Sequence, residues 1–380
     1  MKDKMDSFYI LSQPMIGPEP PKYWSYSLLN EWRSCPKRWW LTHAKYDTFQ
    51  GNYPKRIFPR TLYGLILHRT LEKYNSFLCN NKDNHFPVRN TIQLELRTFF
   101  EENAQNPRIN KSILKPGFSV DDCINSFKYI KSIMGEGYFS SYRVQKNKNN
   151  SESGVPFKGH EITIYADSPP ILGRLDLIDG GRIVEIKTGE PESTHQDQLK
   201  FYGLLYWLRT GQIPLSLELV YSKTNSVIRI EANAECLENL KCRLTEEIKN
   251  INNRISSGLV EPNINAIQCM YCPCRQSCEE YWQYIYTSNP LQKTDSIKGG
   301  LLTDVEIKRL PKEWPAAGSF TGKGESSWGD IYINIEKDKC PDEINKKYPQ
   351  SARILGAILS YEKNHWSLRT GSFTEVFWGY

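Results

Sequence analysis

Asp176, Glu185 and Lys187 are the residues of this sequence whose types and spacing could do chemistry together. Glu185 and Lys187 stand two apart in Arg182-Ile183-Val184-Glu185-Ile186-Lys187, a run with strand character, so their side chains leave the same face. Asp176 lies in the preceding strand-like run, Ile171 to Ile178, and Asp179-Gly180-Gly181 between the two favours a hairpin. Its carboxylate can therefore converge on the other two. Two carboxylates on one sheet suit a hard cation such as Mg²⁺ or Mn²⁺, with oxygen ligands and open water positions. A lysine beside that cation can position or activate an attacking water and stabilise a phosphorane-like transition state. A plain Glu185–Lys187 ion pair on a surface strand would look the same. The pattern D-x8-E-x-K by itself leaves both readings open.

The surroundings separate them. Gly173-Arg174-Leu175-Asp176 leads into the hairpin, Glu185-Ile186-Lys187-Thr188-Gly189 closes it, and Gln198-Leu199-Lys200-Phe201-Tyr202 follows on a helical segment. Upstream lies Gly64-Leu65-Ile66-Leu67-His68. In this order the motifs resemble the PD-(D/E)XK nuclease superfamily, and within it the RecB-like branch of AddAB-type helicase–nuclease subunits, CRISPR adaptation nucleases and the exonuclease V group. The resemblance implies an α/β fold, a restriction-endonuclease-like mixed sheet flanked by helices. It also implies a role for each matching residue. His68, Asp176 and Glu185, with the Ile186 carbonyl, would ligate Mg²⁺ or Mn²⁺, and Lys187 would be the catalytic lysine. Gln198 and Tyr202, one helical turn apart, would line the site beside the scissile phosphate. Glu161 matches, more weakly, a strand glutamate upstream of the aspartate. The implied activity is a metal-dependent DNA nuclease, a single-strand-preferring exonuclease acting on unpaired strands or free ends. DNA repair or defence against foreign DNA would be its setting, with a helicase or defence complex as partner. The chain has no G-x4-G-K-S/T motif, so any ATP motor would be that partner's. The alternative is a non-catalytic nucleic-acid-binding subunit that keeps the fold; the intact lysine and carboxylates argue against it.

Ten cysteines with no evident secretory signal point to metal or cofactor ligation before disulfides. Cys269, Cys272 and Cys278 form C-x2-C-x5-C, which suits thiolate binding of zinc or of an iron–sulfur cluster. A zinc-bound interaction protein is therefore a third reading. The RecB-like resemblance implies a 4Fe–4S cluster instead, held by these three and by Cys35 in Ser34-Cys35-Pro36-Lys37-Arg38. Cys274, inside the x5 stretch, is a competitor for one ligand position. Cys79, Cys123, Cys236, Cys242 and Cys340 read as ordinary cysteines.

The remaining sequence must position these groups. With 380 residues, two or three structural units are expected. Hydrophobic residues at 39% and charged residues at 24% exclude a wholly disordered or fibrous chain. No apolar run nears the roughly 20 residues of a membrane span, and the patch Phe8–Leu11 is too short for a signal peptide. A soluble cytoplasmic protein is the expectation. Net charge is only +6, but between Lys22 and Lys73 ten basic residues face three acidic ones and are interleaved with aromatic rings. That mixture fits a single-strand nucleic-acid surface with Lys37, Arg38 and Trp39 as contacts, or a core of buried rings. Helical periodicity up to about residue 150 changes to period two from His160, then to a helix from Gln196 to Arg209, a strand pair at 217–230 and a helix at 234–256. The expected divisions are a tail, 1–23; a nuclease domain, 24–285, with a helical insertion at about 76–150 and the cluster closing it at 269–278; and a small β-rich domain, 289–380. That last domain, with Trp314, Trp328, Trp366 and Trp378, suits an OB-like or SH3-like barrel. Its tryptophans would serve either a single strand or an accessory subunit, or else the domain's own core.

Overall fold

The computed structural model of the protein describes residues 9–49, 53–80, 85–109, 114, 117–134, 158–287, 300–311, 320–340, 349–362 and 365–379. The polar run at 145–151 and Trp314 lie outside them. In chain order the helices are α1 (Tyr26–Ser34), α2 (Pro36–His43), α3 (Pro59–Asn80), α4 (Val88–Glu102), α5 (Val120–Met134), α6 (Ser193–Thr210), α7 (Ala234–Ser256), α8 (Ala266–Met270) and α9 (Glu279–Thr287). Two compact units divide the chain: Glu19–Asn30 with Arg56–Ser257, and Met1–Pro18 with Glu31–Lys55 and Gly258–Tyr380. The first is built on a sheet, the second on a barrel.

The sheet unit contains β1 (Trp24–Ser25), β2 (Lys158–Asp167), β3 (Pro170–Asp179), β4 (Arg182–Lys187), β5 (Ser216–Tyr221) and β6 (Ser226–Ile230). Their order is β1-β3-β4-β5-β6, with β2 also on β3. β1–β3 and β4–β5 are parallel and the other pairs antiparallel, so the sheet is mixed. Gly180 and Gly181 take φ of 59° and 88°, the two positive values that a type I′ turn requires. The hairpin they close is short. β3 and β4 pair only from Asp179–Arg182 to Leu177–Val184, after which β3 is joined by β1 at Ile171 and Leu172. Asp176 and Glu185 occupy the first rung beyond that pairing.

Both faces of this sheet are covered, which explains the near-continuous apolar runs of β4 and β5. Leu177, Val184, Ile186 and Val220 share one buried cluster with Leu62 and Ile66 of α3, Phe99 and Phe100 of α4, and Phe127 and Ile130 of α5. The helices of the 76–150 block are therefore half of the sheet's core rather than an appendage. On α6, Leu199, Phe201, Leu204 and Leu205 are buried. Gly173 of β3 lets this helix approach: a Cβ there would meet Leu205 Cδ1 at 2.7 Å and Tyr202 Cε1 at 2.8 Å.

The barrel unit has β7 (Leu301–Arg309), β8 (Phe320–Ser326), β9 (Gly329–Ile335), β10 (Ser351–Glu362), β11 (His365–Arg369) and β12 (Glu375–Gly379). β7, β8 and β9 pair in sequence, β9 and β11 pair parallel, and β10 closes the ring between β11 and β7. First-second-third-fifth-fourth-first, with the third and fifth parallel, is the pairing of an OB-fold. Trp366 and Trp378 are buried in its core and Trp328 packs against it. Trp366 and Trp378 are core residues and present no stacking surface, and Trp328 is half-buried against them. The wall formed by β7 and β10 packs on the cysteine-bearing segment of the same unit. Arg275 pairs with Asp304 at 2.5 Å, both nearly fully buried, and Arg353 bridges Glu279 at 2.8 Å and Glu306 at 2.9 Å. Buried pairs of this kind hold only while both partners stay.

The observed architecture is thus a mixed α/β sheet flanked by helices, as expected, and the C-terminal β-rich barrel shares its compact unit with residues 31–55 and 258–287 instead of beginning at 289. Among the described residues no helix is long and apolar enough to cross a membrane.

Candidate active site

Where β3 and β4 part, backbone and side chains must complete each other's hydrogen bonds. Asp176 Oδ2 accepts from the Ile186 N–H at 2.7 Å, replacing the strand partner that Ile186 lacks on that side. Asp176 and Glu185 are only 6% and 5% exposed. Glu185 Oε1 accepts from Lys187 Nζ at 2.7 Å and from Gln198 Nε2 at 3.0 Å. Lys187 Nζ also donates to Gln198 Oε1 at 2.7 Å, and Gln198 Nε2 reaches the Tyr202 hydroxyl at 2.8 Å. One amide therefore holds the lysine, the carboxylate and the tyrosine in a single network. Glu185 Oε2 is buried with no hydrogen-bond partner among the described residues. A carboxylate oxygen left so is costly unless a cation takes it.

That cation has other ligands at hand. His68 comes from α3, whose Gly64 rests against the end of β4; a Cβ at Gly64 would meet Thr188 Oγ1 at 3.0 Å. His68 Nδ1 lies 3.5 Å from Glu161 Oε1 and 3.6 Å from Asp176 Oδ1. His68, Glu161 and Asp176 form the one set of three potential ligand side chains within 4.8 Å among the described residues. Glu161 stands opposite Asp176 on β2, between the pairs His160–Leu177 and Ile162–Leu175. Its φ is 53°, a left-handed conformation that a glutamate adopts only when its surroundings demand it. Like charges directly across two strands repel. Here Arg174 Nε, 2.6 Å from Glu161 Oε2, and His68 offset them. Burial pushes the His68 pKa down, but the charge of Asp176 and the Glu161 and Glu185 carboxylates outweigh it and hold it at about 9. Burial, then the charge of Asp176, raises the Glu185 carboxyl well above the usual range. The oxygen-rich donor set, its orphaned oxygen and its excess of acid groups fit a divalent cation such as Mg²⁺ or Mn²⁺.

The cluster opens into a cleft of ≈ 420 Å³. Two of its lining residues, Arg60 and His195, were not singled out from the sequence. Arg60, one and two turns before Gly64 and His68 on α3, lies over Gly189 and pairs with Glu192 at 3.7 Å. His195 Nδ1 is 3.2 Å from the Tyr221 hydroxyl, and burial followed by the charge of Lys187 lowers its pKa. The i, i+4, i+8 spacing of Arg60, Gly64 and His68 was the available signal for the arginine.

The cysteines of the expected cluster all lie in the barrel unit. Cys35 caps α2, and its sulfur accepts from the N–H groups of Arg38 and Asn263, each at 3.4 Å. Cys269, Cys274 and Cys278 are buried in one core cluster, with Cys272 packed against it. Cys272 and Cys274 sulfurs are 3.5 Å apart. The Cys274 contact, offset in part by burial and assisted by Arg38 and Arg275, lowers the Cys272 thiol to about 7. Burial raises Cys278 to about 12. Among the described residues no three of these sulfurs come within 4.8 Å of one another.

The same unit contains Lys37, Arg38 and Trp39. Trp39 is 1% exposed, its ring stacked on His43 and edge-on to Trp32, so it is core and offers no face to a base. Lys37 pairs with Glu280 at 3.4 Å, and Arg38 acts on Cys272. Of the other rings in this basic stretch, Trp24, Trp32, Tyr46, Tyr53 and Tyr74 are buried as well. The interleaving of rings and charges there is largely the signature of packing.

Residues 23–279 match the family model of the PD-(D/E)XK nuclease superfamily, and the chain belongs to it. It is accordingly a nuclease, a hydrolase of phosphodiester bonds in a superfamily that uses divalent metals. Among solved structures it is similar to the "Putative exonuclease" from Eubacterium rectale, at 14% identity over 68% of this chain and 88% of that one, with a TM-score of 0.39. No curated protein matches the chain.

Proposed function

We propose that the protein is a Mg²⁺- or Mn²⁺-dependent deoxyribonuclease of the RecB-like branch, an exonuclease preferring single strands, in DNA repair or defence against foreign DNA. The observation that carries this reading is Lys187 Nζ, held at 2.7 Å by both Glu185 and Gln198 beside a carboxylate cluster with an orphaned oxygen. Asp176, Glu185, His68 and Glu161 would hold the cation, with the Ile186 carbonyl as a backbone donor. The cation would supply Lewis-acid polarisation of the phosphate and a lowered pKa for an attacking water. Lys187 stands ready to orient that water or to meet charge developing on the phosphate. Gln198 fixes the lysine's position, and Tyr202 fixes the amide. Arg60, at the mouth of the cleft, suits a flanking phosphate.

A 4Fe–4S cluster on Cys35, Cys269, Cys272 and Cys278 belongs to the same reading. Its support is that the four thiols share one unit, in which Cys269, Cys272 and Cys278 lie in or against one core cluster. A four-iron cluster gives each thiolate its own iron, so the sulfurs need not crowd as around a single ion. The cluster would serve as a structural pin.

The test is digestion of end-labelled single- and double-stranded DNA with Mg²⁺ or Mn²⁺, wild type beside Lys187→Ala. Wild type should degrade the single strand faster, and the variant should lose at least about a hundredfold in rate. Equal cleavage by both proteins would remove the lysine from the mechanism.

A further inference from the structure

We infer that the OB barrel binds a single strand of nucleic acid across the outer face of β8, β9 and β11, with Tyr332 as its stacking platform. This deepens the nuclease reading in one respect, taking a nucleic acid as the ligand, but the surface is separate from the cleavage cluster. The barrel's two walls are unlike. Outside β7 and β10, Asp304, Glu306 and Arg353 are committed to the cysteine-bearing segment. Outside the other three strands, the register aligns Lys323 with Tyr332 and Ser367, and Asn334 with Arg369. Those rows are ~7 Å apart along the strands.

Lys323, Asn334 and Arg369 are exposed. Tyr332 is 40% exposed, unlike the barrel's tryptophans, and the His365 ring stands edge-on to it at 6.0 Å. Among the described residues neither Lys323 nor Arg369 makes an ion pair. A ring flanked on both sides by cations, with amide and hydroxyl groups between, matches the alternation of base and phosphate in an unpaired strand. A duplex hides its base faces and could use only the charges. Acidic groups bound the path: Glu325 and Asp330 at the β8–β9 tip, where Glu325 pairs with Arg309 at 3.2 Å, and Glu336 beyond the end of β9. The contact should therefore be short, two or three nucleotides.

Fluorescence anisotropy of a labelled oligo-dT strand tests this on the full chain carrying Lys187→Ala, with divalent metal chelated so that the strand stays intact. Adding Tyr332→Ala should weaken binding about tenfold, whereas Tyr332→Phe should stay within twofold. Lys323→Ala with Arg369→Ala should lower the slope of log K against log salt by roughly 1.4. Circular dichroism and melting confirm that each variant is folded. Unchanged affinity and slope in folded variants, as expected if the face takes a protein partner, overturn the inference. So does an equal loss of affinity for a hairpin duplex. The two readings fail separately. A wild-type chain that does not cut but needs Tyr332 to bind removes the nuclease reading alone; a chain that cuts and binds without Tyr332 removes this one alone.

Discussion

At the scale of single residues, the acid cluster around Asp176 sets a proton balance that a cation must change. His68 titrates at about 9, because the Asp176, Glu161 and Glu185 charges outweigh its burial, and Glu185 is raised by burial and by Asp176. In an unfolded chain these groups titrate near about 6.5 and 4.3. Both folded values are raised, so these two groups bind more protons in the metal-free fold than in the unfolded chain from about pH 4.3 up to about 9. Glu161, whose burial is outweighed by His68 and Arg174, is lowered and acts the other way. The stability that His68 and Glu185 contribute is complete below about pH 4.3 and is lost as pH climbs towards about 9. A divalent cation needs the imidazole and the carboxylate without their protons, so its binding releases protons and strengthens over the same range. The rise in melting temperature on adding Mn²⁺ should be small at pH 6 and several degrees larger at pH 8.5. An equal rise at both would show that these groups do not ligate it. Much of this site was legible in the sequence, since Asp176, Glu185, Lys187 and His68 fall at recognisable spacings. Glu161 was legible only weakly, because its part depends on standing opposite Asp176 on another strand and on a positive φ that no composition announces. His195 was missed for a similar reason, since nothing in its neighbourhood predicts that its helix turn meets the end of β4, and Arg60 had for a signal only its i, i+4, i+8 spacing with Gly64 and His68.

At the scale of elements, the site depends on how closely α6 lies on β3. Gly173 has no positive φ to explain it; its reason is the 2.7–2.8 Å approach that a Cβ would force on Leu205 and Tyr202. Both are buried and close-packed, so they have little room to move. Gly173→Val should cost about 1–3 kcal/mol by overpacking and displace Tyr202 from Gln198, lowering nuclease activity more than a surface change of equal stability cost. Thermal melting and single-turnover cleavage measure the two effects. A Gly173→Val protein with unaltered melting and rate would show that α6 tolerates a wider seat. The elements themselves were the most legible part of the chain. The 180–181 turn follows from two glycines, and the helices at 193–210 and 234–256 follow from their apolar periodicity. What the sequence could not show was the partnership of elements far apart in it. The helices between 76 and 150 carry no motif, yet Phe99, Phe127 and Ile130 cover the sheet beneath Val184 and Ile186. The basic, ring-rich stretch from 22 to 73 left a binding surface and a core of rings both open, because a buried tryptophan and a stacking tryptophan are written with the same letter.

At the scale of the whole chain, the barrel unit is discontinuous. Residues 31–55 join 258–380, and the segment from Arg56 to Ser257 runs between them as part of the sheet unit. Cys35 belongs to the first piece, and Cys269, Cys272 and Cys278 to the second. A cluster bridging them would close a loop of more than two hundred residues, the kind of cross-link that removes most freedom from the unfolded chain. Two backbone N–H groups already aimed at the Cys35 sulfur, one from each piece, would stabilise a thiolate there. Under the proposed four-cysteine assignment, Cys35→Ala should remove the absorbance near 400 nm and the iron that assignment expects of anaerobically purified wild type, and lower the melting temperature. Cys274→Ser should keep both colour and iron, because Cys274 is a buried neighbour of Cys272 rather than a ligand in this assignment. If Cys274→Ser lost the colour and Cys278→Ser kept it, the ligand set would be Cys35, Cys269, Cys272 and Cys274. A colourless wild type containing zinc would remove the iron assignment altogether, leaving the same four or five thiols as a zinc site and the discontinuous unit still dependent on it.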